Sequence, residues 1–208
     1  MCFSATASLV AGGTLATVGA LTLAQVRTKK ELPLASIPLL FGIQQIADGV
    51  VWLSLGTHSL NTVAMYSYAV FSQAFWPIFL PASILFLETD LSRKKILRAF
   101  SLIGLFVGLF FLYFIVFGTV TAHIVNNCVV YDTPHPYPFT VLAFYLIATV
   151  GACFFSSHKI IKIFGGTLFV SFIISGWFYV ETFSSVWCFF AAILSGIIYW
   201  FFKSGSKV

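Results

Sequence analysis

Charged side chains are scarce in this sequence. Its 208 residues include only six Asp and Glu and eleven Lys and Arg, whereas 60% are hydrophobic and the mean hydropathy is +1.01. A soluble protein of this length needs more charge to cover its surface with polar groups. The net charge of +5 would favour nucleic acid as a partner of a soluble chain, but this composition excludes that class and predicts a membrane protein in contact with lipids.

Long apolar runs take the place of the missing charge. Seven runs of about 20 residues are long enough to cross a bilayer core of roughly 30 Å. They are predicted at 3–26, 32–55, 60–87, 99–121, 139–156, 163–180 and 184–202. The runs and their short connections occupy residues 1–208, which predicts one membrane domain without a separate soluble domain. The predicted fold class is therefore an all-α bundle of seven transmembrane helices.

The basic residues lie only in connections and in the C-terminal tail. They are Arg27, Lys29 and Lys30 in the first connection, Arg93, Lys94, Lys95 and Arg98 in the third, Lys159 and Lys162 in the fifth, and Lys203 and Lys207 in the tail. These four places share one side of a membrane only if the chain crosses an odd number of times. The positive-inside rule then predicts an extracytoplasmic N-terminus and a cytoplasmic C-terminus. No cleavable signal peptide is expected, because Arg27 follows the first apolar run instead of preceding it.

The second predicted segment carries a polar face. Gln44, Asp48 and Trp52 recur at i, i+4 and i+8, which places them on one side of a helix with Gln45 beside them. Asp48 is the only ionisable residue well inside any predicted segment, where a carboxylate costs about 2.5–3.5 kcal/mol on insertion scales. Such a residue is a candidate for function. The alternative is a protonated or hydrogen-bonded Asp48 that locks this helix to a neighbour.

The third predicted segment offers a partner for this polar face. Tyr66, Gln73 and Trp76 fall on one broad side, and Pro77 follows them. Because Pro77 has no N–H, the carbonyl of Gln73 is predicted to lose its helical partner and the helix to bend. In lipid a freed carbonyl must find another donor, which is typical of a polar cavity.

These two segments together predict a ligand pocket that opens to the outside. Its candidate residues are Asp48, Gln44, Gln45, Trp52, Gln73 and Trp76. Asp48 would titrate or pair with a cation, the glutamines would orient the ligand, and the tryptophans would form apolar walls. The predicted function is binding of a small solute or lipid-like ligand by a transporter or a sensor.

A metal site at the extracytoplasmic rim is the alternative. Its candidate ligands are Cys2, His58, His123, His135, Glu181 and Cys188. Imidazole, thiolate and carboxylate suit zinc or copper, and such a metal would make the chain a membrane enzyme with Asp48 as a base. No HxxxH or CxxC spacing supports it, and disulfides from Cys188 to Cys128 or to Cys2, or inert thiols, compete with it. The proline-rich stretch 131–138 is predicted to form a stiff lid over the outer mouth.

Several stretches resemble an uncharacterised family of prokaryotic seven-helix membrane proteins that begin Met-Cys-Phe-Ser. They are residues 1–8, 32–40 with Gln44 and Gln45, 75–77, 156–158 and 185–192. The resemblance implies a single multi-pass domain, and for a prokaryotic protein it implies the bacterial inner membrane. It implies no activity, since the family has none assigned.

Overall fold

The computed structural model describes residues 4–55, 58–125, 128–178 and 182–204. Its helices are α1 (Ala5–Leu23), α2 (Leu32–Ala35), α3 (Ile37–Ser54), α4 (His58–Ala69), α5 (Trp76–Leu87), α6 (Leu91–Phe117), α7 (Pro138–Leu146), α8 (Ala152–Phe154), α9 (Lys159–Phe178), α10 (Phe183–Leu194) and α11 (Gly196–Lys203). Two π-helical segments, Val70–Phe75 and Ile147–Gly151, join α4 to α5 and α7 to α8. The chain is therefore helical, as predicted.

Six helical stretches within the described residues are long and apolar enough to cross a membrane. They are Ala5–Leu23, Leu32–Ser54, Thr62–Leu87, Leu91–Phe117, Lys159–Phe178 and Ser185–Lys203. The fifth predicted segment forms the shorter apolar helix Pro138–Phe154. These lengths and compositions indicate an integral membrane protein.

The predicted start of the fourth segment is wrong by eight residues. Helix α6 begins at Leu91 rather than at residue 99, because the Asp90 side chain caps it by accepting the Arg93 N–H at 2.8 Å. The four basic residues 93–98 therefore occupy the first turns of a helix and not a connection. Lysine and arginine are compatible with a helix that extends beyond its apolar stretch, since their long side chains can reach the polar region.

The predicted end of the same segment is also wrong, because a β-hairpin follows α6. Strand β1 (Thr121–Val125) pairs antiparallel with β2 (Cys128–Asp132), with Thr121 opposite Asp132 and Val125 opposite Cys128. Strand β2 is the more buried, and the Ser185 hydroxyl of α10 donates a hydrogen bond to the Val129 carbonyl. The hairpin thus packs on the bundle; the end of the bundle where it lies is called the hairpin end.

Helices α1 and α3 pack closely because small residues meet where they cross. A Cβ at Gly42 would lie 2.7 Å from the Ala16 nitrogen, and a Cβ at Gly12 would lie 3.0 Å from the Gly42 carbonyl oxygen. Small residues allow this approach of two backbones, on which helix association depends where lipid supplies no hydrophobic drive. The contact brings Ser8 of α1 beside the polar face of α3.

The opposite end, called the basic end, is held together by Glu88. This residue is 1% exposed, and its carboxylate accepts the Ser157 N–H and hydroxyl, both at 2.7 Å, and the N–H groups of Thr89 and Asp90. Arg93 reaches the same loop by donating to the Phe155 carbonyl at 3.2 Å. The loop that contains residues 156–158 is thus tied to the loop before α6 at the basic end.

Replacing Glu88 with glutamine should destabilise the fold in a pH-dependent way. Burial alone would raise the pKa of Glu88, but its hydrogen bonds from Ser157, Asp90 and Thr89 outweigh burial and lower it. The stabilisation is therefore complete above the unfolded-state pKa of about 4.3 and disappears as the pH falls through the lower folded-state value. We expect Glu88→Gln to cost about 1–3 kcal/mol at pH 7 and progressively less in acid.

Thermal unfolding from pH 7 to pH 3 would measure this difference. The exposed Lys95→Gln on α6 is the control, because it removes a charge from the same end without removing a hydrogen bond described at Glu88. A cost for Glu88→Gln that stays constant over the pH range would contradict the prediction.

Candidate functional site

Asp48 joins two helices and the hairpin. It is fully buried; its Oδ2 accepts the Ser8 hydroxyl of α1 at 2.8 Å, and its Oδ1 accepts the Tyr131 hydroxyl of β2 at 2.7 Å. This arrangement matches the alternative in which a hydrogen-bonded Asp48 locks its helix to neighbours. Tyr131 also stacks on Tyr68 of α4 with ring centroids 4.1 Å apart, which fixes the phenol from its other side.

The other predicted residues of α3 also pack inside the bundle. Gln44 Oε1 accepts the indole N–H of Trp76 at 2.6 Å, and the Trp76 ring stacks on Phe41 at 3.9 Å. Gln45 is buried, and Trp52 is half-buried against the core. The structure thus brings Gln44, Asp48 and Trp76 into contacts between helices, while a ligand at any of them stays a prediction.

The helix before Pro77 is widened into a π turn, and a hydroxyl from another helix donates a hydrogen bond to it. The Tyr145 hydroxyl of α7 donates to the Ser72 carbonyl at 2.8 Å. Ser72 lies in the π-helical segment five residues before Pro77, whose nitrogen carries no hydrogen. The sequence predicted that the Gln73 carbonyl would lose its helical partner. In the structure the carbonyl that accepts a hydrogen bond from another helix is that of Ser72, one residue earlier, because a π turn pairs residues five apart instead of four.

A cavity of about 280 Å³ lies beside this widened helix at the hairpin end. Its lining residues are Ser72, Gln73, Phe111, Tyr131, Asp132, Thr133, His135, Pro138, Leu142, Tyr145, Phe183, Trp187 and Cys188. The volume is close to the lower end of small-molecule pockets, about 300 Å³. It is called the larger cavity, because a second cavity deeper in the bundle is smaller. Of the six predicted ligand-binding residues, Gln73 lines the larger cavity, and Asp48 is connected to it through Tyr131.

Two buried polar atoms of the larger cavity have no hydrogen-bond partner among the described residues. They are the Gln73 Oε1 and the Thr133 Oγ1, and Thr133 is 7% exposed. Leaving a buried polar atom unsatisfied costs about 1–3 kcal/mol, so native structures seldom do so without water or a ligand. The wall of this cavity therefore contains two side-chain oxygens whose hydrogen-bonding capacity the described residues do not use.

His135 forms part of the same wall with a defined orientation. Its Nδ1–H donates to the Thr133 carbonyl at 2.6 Å, and its ring packs edge-on against Phe111 at 5.0 Å. In the neutral ring this leaves Nε2 as a hydrogen-bond acceptor. Thr133 and His135 belong to the proline-rich loop that was predicted as a lid, and the structure places both against the larger cavity.

A second cavity of about 30 Å³ lies deeper in the bundle and is almost entirely apolar. Trp76 and Phe41 line it, and it shares Tyr145, Trp187 and Cys188 with the larger cavity. The Cys188 thiol lies beside Tyr68 and Gln44, but neither the Tyr68 hydroxyl nor the Gln44 Nε2 makes a hydrogen bond to a described residue. Cys188 is therefore a free thiol that lines both cavities.

The predicted disulfides of Cys188 are wrong. Cys188 and Cys153 are free thiols, whereas Cys128 is disulfide-bonded to a partner outside the described residues. Cys188 points into the bundle from α10, where the hydrophobic surroundings leave it reduced and buried. The pairing could not be decided from the sequence, because several connectivities have similar spacing.

The predicted metal ligands are only partly covered by the structure. His123 is exposed and pairs with Asp132 at 3.3 Å, while His135 and Cys188 line the larger cavity. Cys2, Glu181 and the His58 side chain lie outside the described part of the chain. The described residues contain no group of three or more His, Cys, Asp or Glu that could hold a metal. The zinc or copper site stays a prediction.

Comparison with known families adds one finding. A family model described as a family of unknown function, DUF6629, matches residues 1–207. The chain belongs to DUF6629. No curated protein and no solved structure matches it. The predicted membership of an uncharacterised family is therefore confirmed, and since DUF6629 has no known function, the activity must be argued from the site.

Sequence reasoning missed four residues of the site: Ser8, Tyr131, Thr133 and Tyr145. Ser8 and Tyr131 donate hydrogen bonds to Asp48, and Tyr145 donates one to the widened helix. Thr133 lines the larger cavity, and its buried hydroxyl has no hydrogen-bond partner among the described residues. The only local signal is that Tyr131 and Thr133 begin the proline-rich loop. A hydroxyl residue in an apolar chain does not by itself reveal which distant group it contacts.

Proposed function

We propose that this DUF6629 protein binds a small solute or lipid-like molecule in its larger cavity, as a transporter or a sensor. The observation that supports this most directly is a cavity of about 280 Å³ whose lining includes Gln73 and Thr133, each with a buried side-chain oxygen that has no hydrogen-bond partner among the described residues. Asp48 does not line this cavity, but it accepts a hydrogen bond from Tyr131, which does, and so positions the hairpin beside the cavity. The ligand pocket thus lies next to Asp48 rather than around it.

The proposed orientation places the basic end in the cytoplasm and the hairpin end outside. Lys and Arg residues lie near the ends of the spans at the basic end, where Arg93 of α6 donates a hydrogen bond to the Phe155 carbonyl of the loop after α8. This asymmetry is what the positive-inside rule requires. In this orientation the N-terminus is extracytoplasmic, the C-terminus is cytoplasmic and the spans cross the bacterial inner membrane. The larger cavity then opens to the extracytoplasmic side.

Thiol labelling tests whether small molecules enter the larger cavity. Methyl methanethiosulfonate is small and neutral, and it would be applied to the protein in lipid nanodiscs, with each cysteine followed by peptide mass spectrometry. Cys188 lines the cavity and Cys153 is equally buried elsewhere in the bundle. Because access limits the reaction of buried thiols, we expect Cys188 to react about tenfold faster than Cys153.

A pair of tryptophan variants makes the test specific to the cavity. Leu142→Trp puts a large ring into the cavity wall and should slow Cys188 labelling about tenfold by blocking access. Leu109→Trp on the exposed side of α6 is the matched control and should leave the rate unchanged. Equally slow labelling of Cys188 and Cys153 would show a closed cavity and overturn the proposed function.

A further inference from the structure

We infer that the larger cavity receives a long-chain amphiphile from the bilayer, which enters between α6 and α7 and keeps its hydrocarbon chain in a groove there. This inference deepens the proposed function and rests on it, because it selects a lipid-like ligand over a small solute. It follows from an apolar groove beside the cavity and from the distribution of polar residues around both.

The groove has a volume of about 280 Å³ and lies between α6 and α7. Its lining residues are Ile103, Phe106, Val107, Phe110, Val141 and Phe144. Phe106 and Phe144 are exposed, whereas Val107 is buried. At 1.5 Å per residue, residues 103–110 lie about 8–18 Å along α6 from Arg98, which is within a hydrocarbon core of roughly 30 Å. The groove therefore faces acyl chains.

The groove and the larger cavity meet at an aromatic contact. Phe110 lines the groove and packs edge-on against His135, which lines the cavity, with ring centroids 6.0 Å apart. On α7 the adjacent residues Val141 and Leu142 line the groove and the cavity, respectively. Rotation of the half-buried Phe110 side chain away from His135 would therefore open a path between the two spaces.

Helix α7 is loosely held at this contact with α6. The structure describes all nine residues of α7, and Tyr145 alone is buried among them. Elements with few buried apolar contacts separate from their neighbours at low free energy. The helix that borders both spaces is thus suited to move when a chain passes.

The polarity of the two spaces matches the shape of an amphiphile. Asp132 and His135 come from the hairpin and the loop after it, whereas Phe111 of α6 and Leu142 of α7 form the side of the cavity next to the groove. The groove continues from there toward the basic end, since Ile103 lies about 12 Å along α6 from Phe111. A lipid has the same arrangement, with its polar group at the membrane surface and its chain toward the midplane.

The chain sets the route of entry, and the polar group sets the affinity. A chain gains little by moving from lipid into the groove, because lipid tails are as apolar as the groove residues. A solute without a chain would stay in water and would have to enter at the hairpin end.

Two uncharged probes with the same polar group test this inference. Glycerol and 1-decanoylglycerol would be titrated against the labelling of Cys188 by methyl methanethiosulfonate in phosphatidylcholine nanodiscs. We expect 1-decanoylglycerol to slow the labelling about tenfold at a concentration at which glycerol has no effect, because its chain places it in the bilayer. The labelling of Cys153 is the control for a general effect on the bilayer and should not change.

Tryptophan variants separate entry through the groove from mere enrichment in the bilayer. Val141→Trp fills the groove without lining the cavity, so it should raise the concentration of 1-decanoylglycerol required about tenfold. It should leave the labelling rate without a probe unchanged, because the reagent enters from water. Ile103→Trp narrows the same groove from α6 and should act in the same way, which covers the case that one variant fails to fold. Leu109→Trp on the exposed side of α6 should change neither quantity.

The outcomes distinguish this inference from the proposed function. Protection by 1-decanoylglycerol that is unchanged in both groove variants, or no protection by either probe, would overturn the inference and leave the proposed function intact. Protection by glycerol at the same concentration as by 1-decanoylglycerol would do the same and would point to a small solute. Absence of Cys188 labelling in the natural chain and in both groove variants would overturn both.

Discussion

Alanine at Gly104 should destabilise the bundle by about 3 kcal/mol, the upper end of what overpacking usually costs. Its Cβ would overlap the carbonyl oxygen of Pro77 and lie 3.2 Å from Pro81 Cγ. The clash is with backbone and with a proline ring, neither of which can rotate away. Helix α6 would therefore have to separate from α5 along their contact.

Gly166→Ala on α9 is the matched control for this substitution. A Cβ at Gly166 would have nothing within 4 Å, so alanine there should stabilise the helix by up to about 1 kcal/mol through its higher propensity. The same chemical change is thus expected to have opposite signs at the two positions. Thermal unfolding of both variants in one detergent measures this, and a similar midpoint for the two would contradict the packing of α6 on α5.

The positions of the spans could be predicted because hydropathy reports directly on what lipid requires. The second and third predicted segments, 32–55 and 60–87, agree closely with Leu32–Ser54 and Thr62–Leu87. The start of α6 was misplaced because four basic residues resemble a connection, although a helix can extend past its apolar stretch. Charge marks the limit of the apolar stretch, and a cap such as Asp90 marks the limit of the helix.

The hairpin could not be recognised from apolar character alone. The predicted fourth segment ended at residue 121, so Thr121, the first residue of β1, was counted as the end of a helix, and residues 122–125 were assigned to the connection that follows. β-Branched residues favour strands, but the pairing of β1 with β2 depends on the bundle that covers Cys128, Val129 and Tyr131. Short strands of this kind are decided by tertiary contacts.

The candidate site was found in part, because buried polarity is visible in a sequence and its partners are not. Asp48 stands out in an apolar segment, and Pro77 marks the helix that carries Gln73. The donors to Asp48 come from 40 and 83 residues away along the chain, so no local spacing points to Ser8 or Tyr131. The sequence therefore identified a polar centre but not the distant residues that contact it.

Removing the Asp48 side chain should be the most damaging change at the site. Asp48→Ala leaves the Tyr131 hydroxyl buried without its acceptor and leaves the Ser8 hydroxyl only its longer hydrogen bond to the Ser4 carbonyl at 3.4 Å, at a cost of up to about 1–3 kcal/mol each. We therefore expect a loss of about 2–6 kcal/mol in the free energy of unfolding, together with faster labelling of Cys188 as the hairpin loosens. Thermal unfolding and the thiol assay measure the two effects on the same preparation.

Matched variants separate this bond from simple burial. Tyr131→Phe should be destabilising, whereas Tyr68→Phe removes a hydroxyl that is just as buried but makes no hydrogen bond to a described residue, and should cost little. The double variant of Asp48→Ala and Tyr131→Phe should fall short of the sum of the single costs by about 1–3 kcal/mol. Additive effects would mean that Asp48 and Tyr131 act independently, and the hairpin would then need another anchor. Coupling between them would instead show that the Asp48 carboxylate stabilises the wall of the cavity, because Tyr131 both donates to Asp48 and lines the cavity.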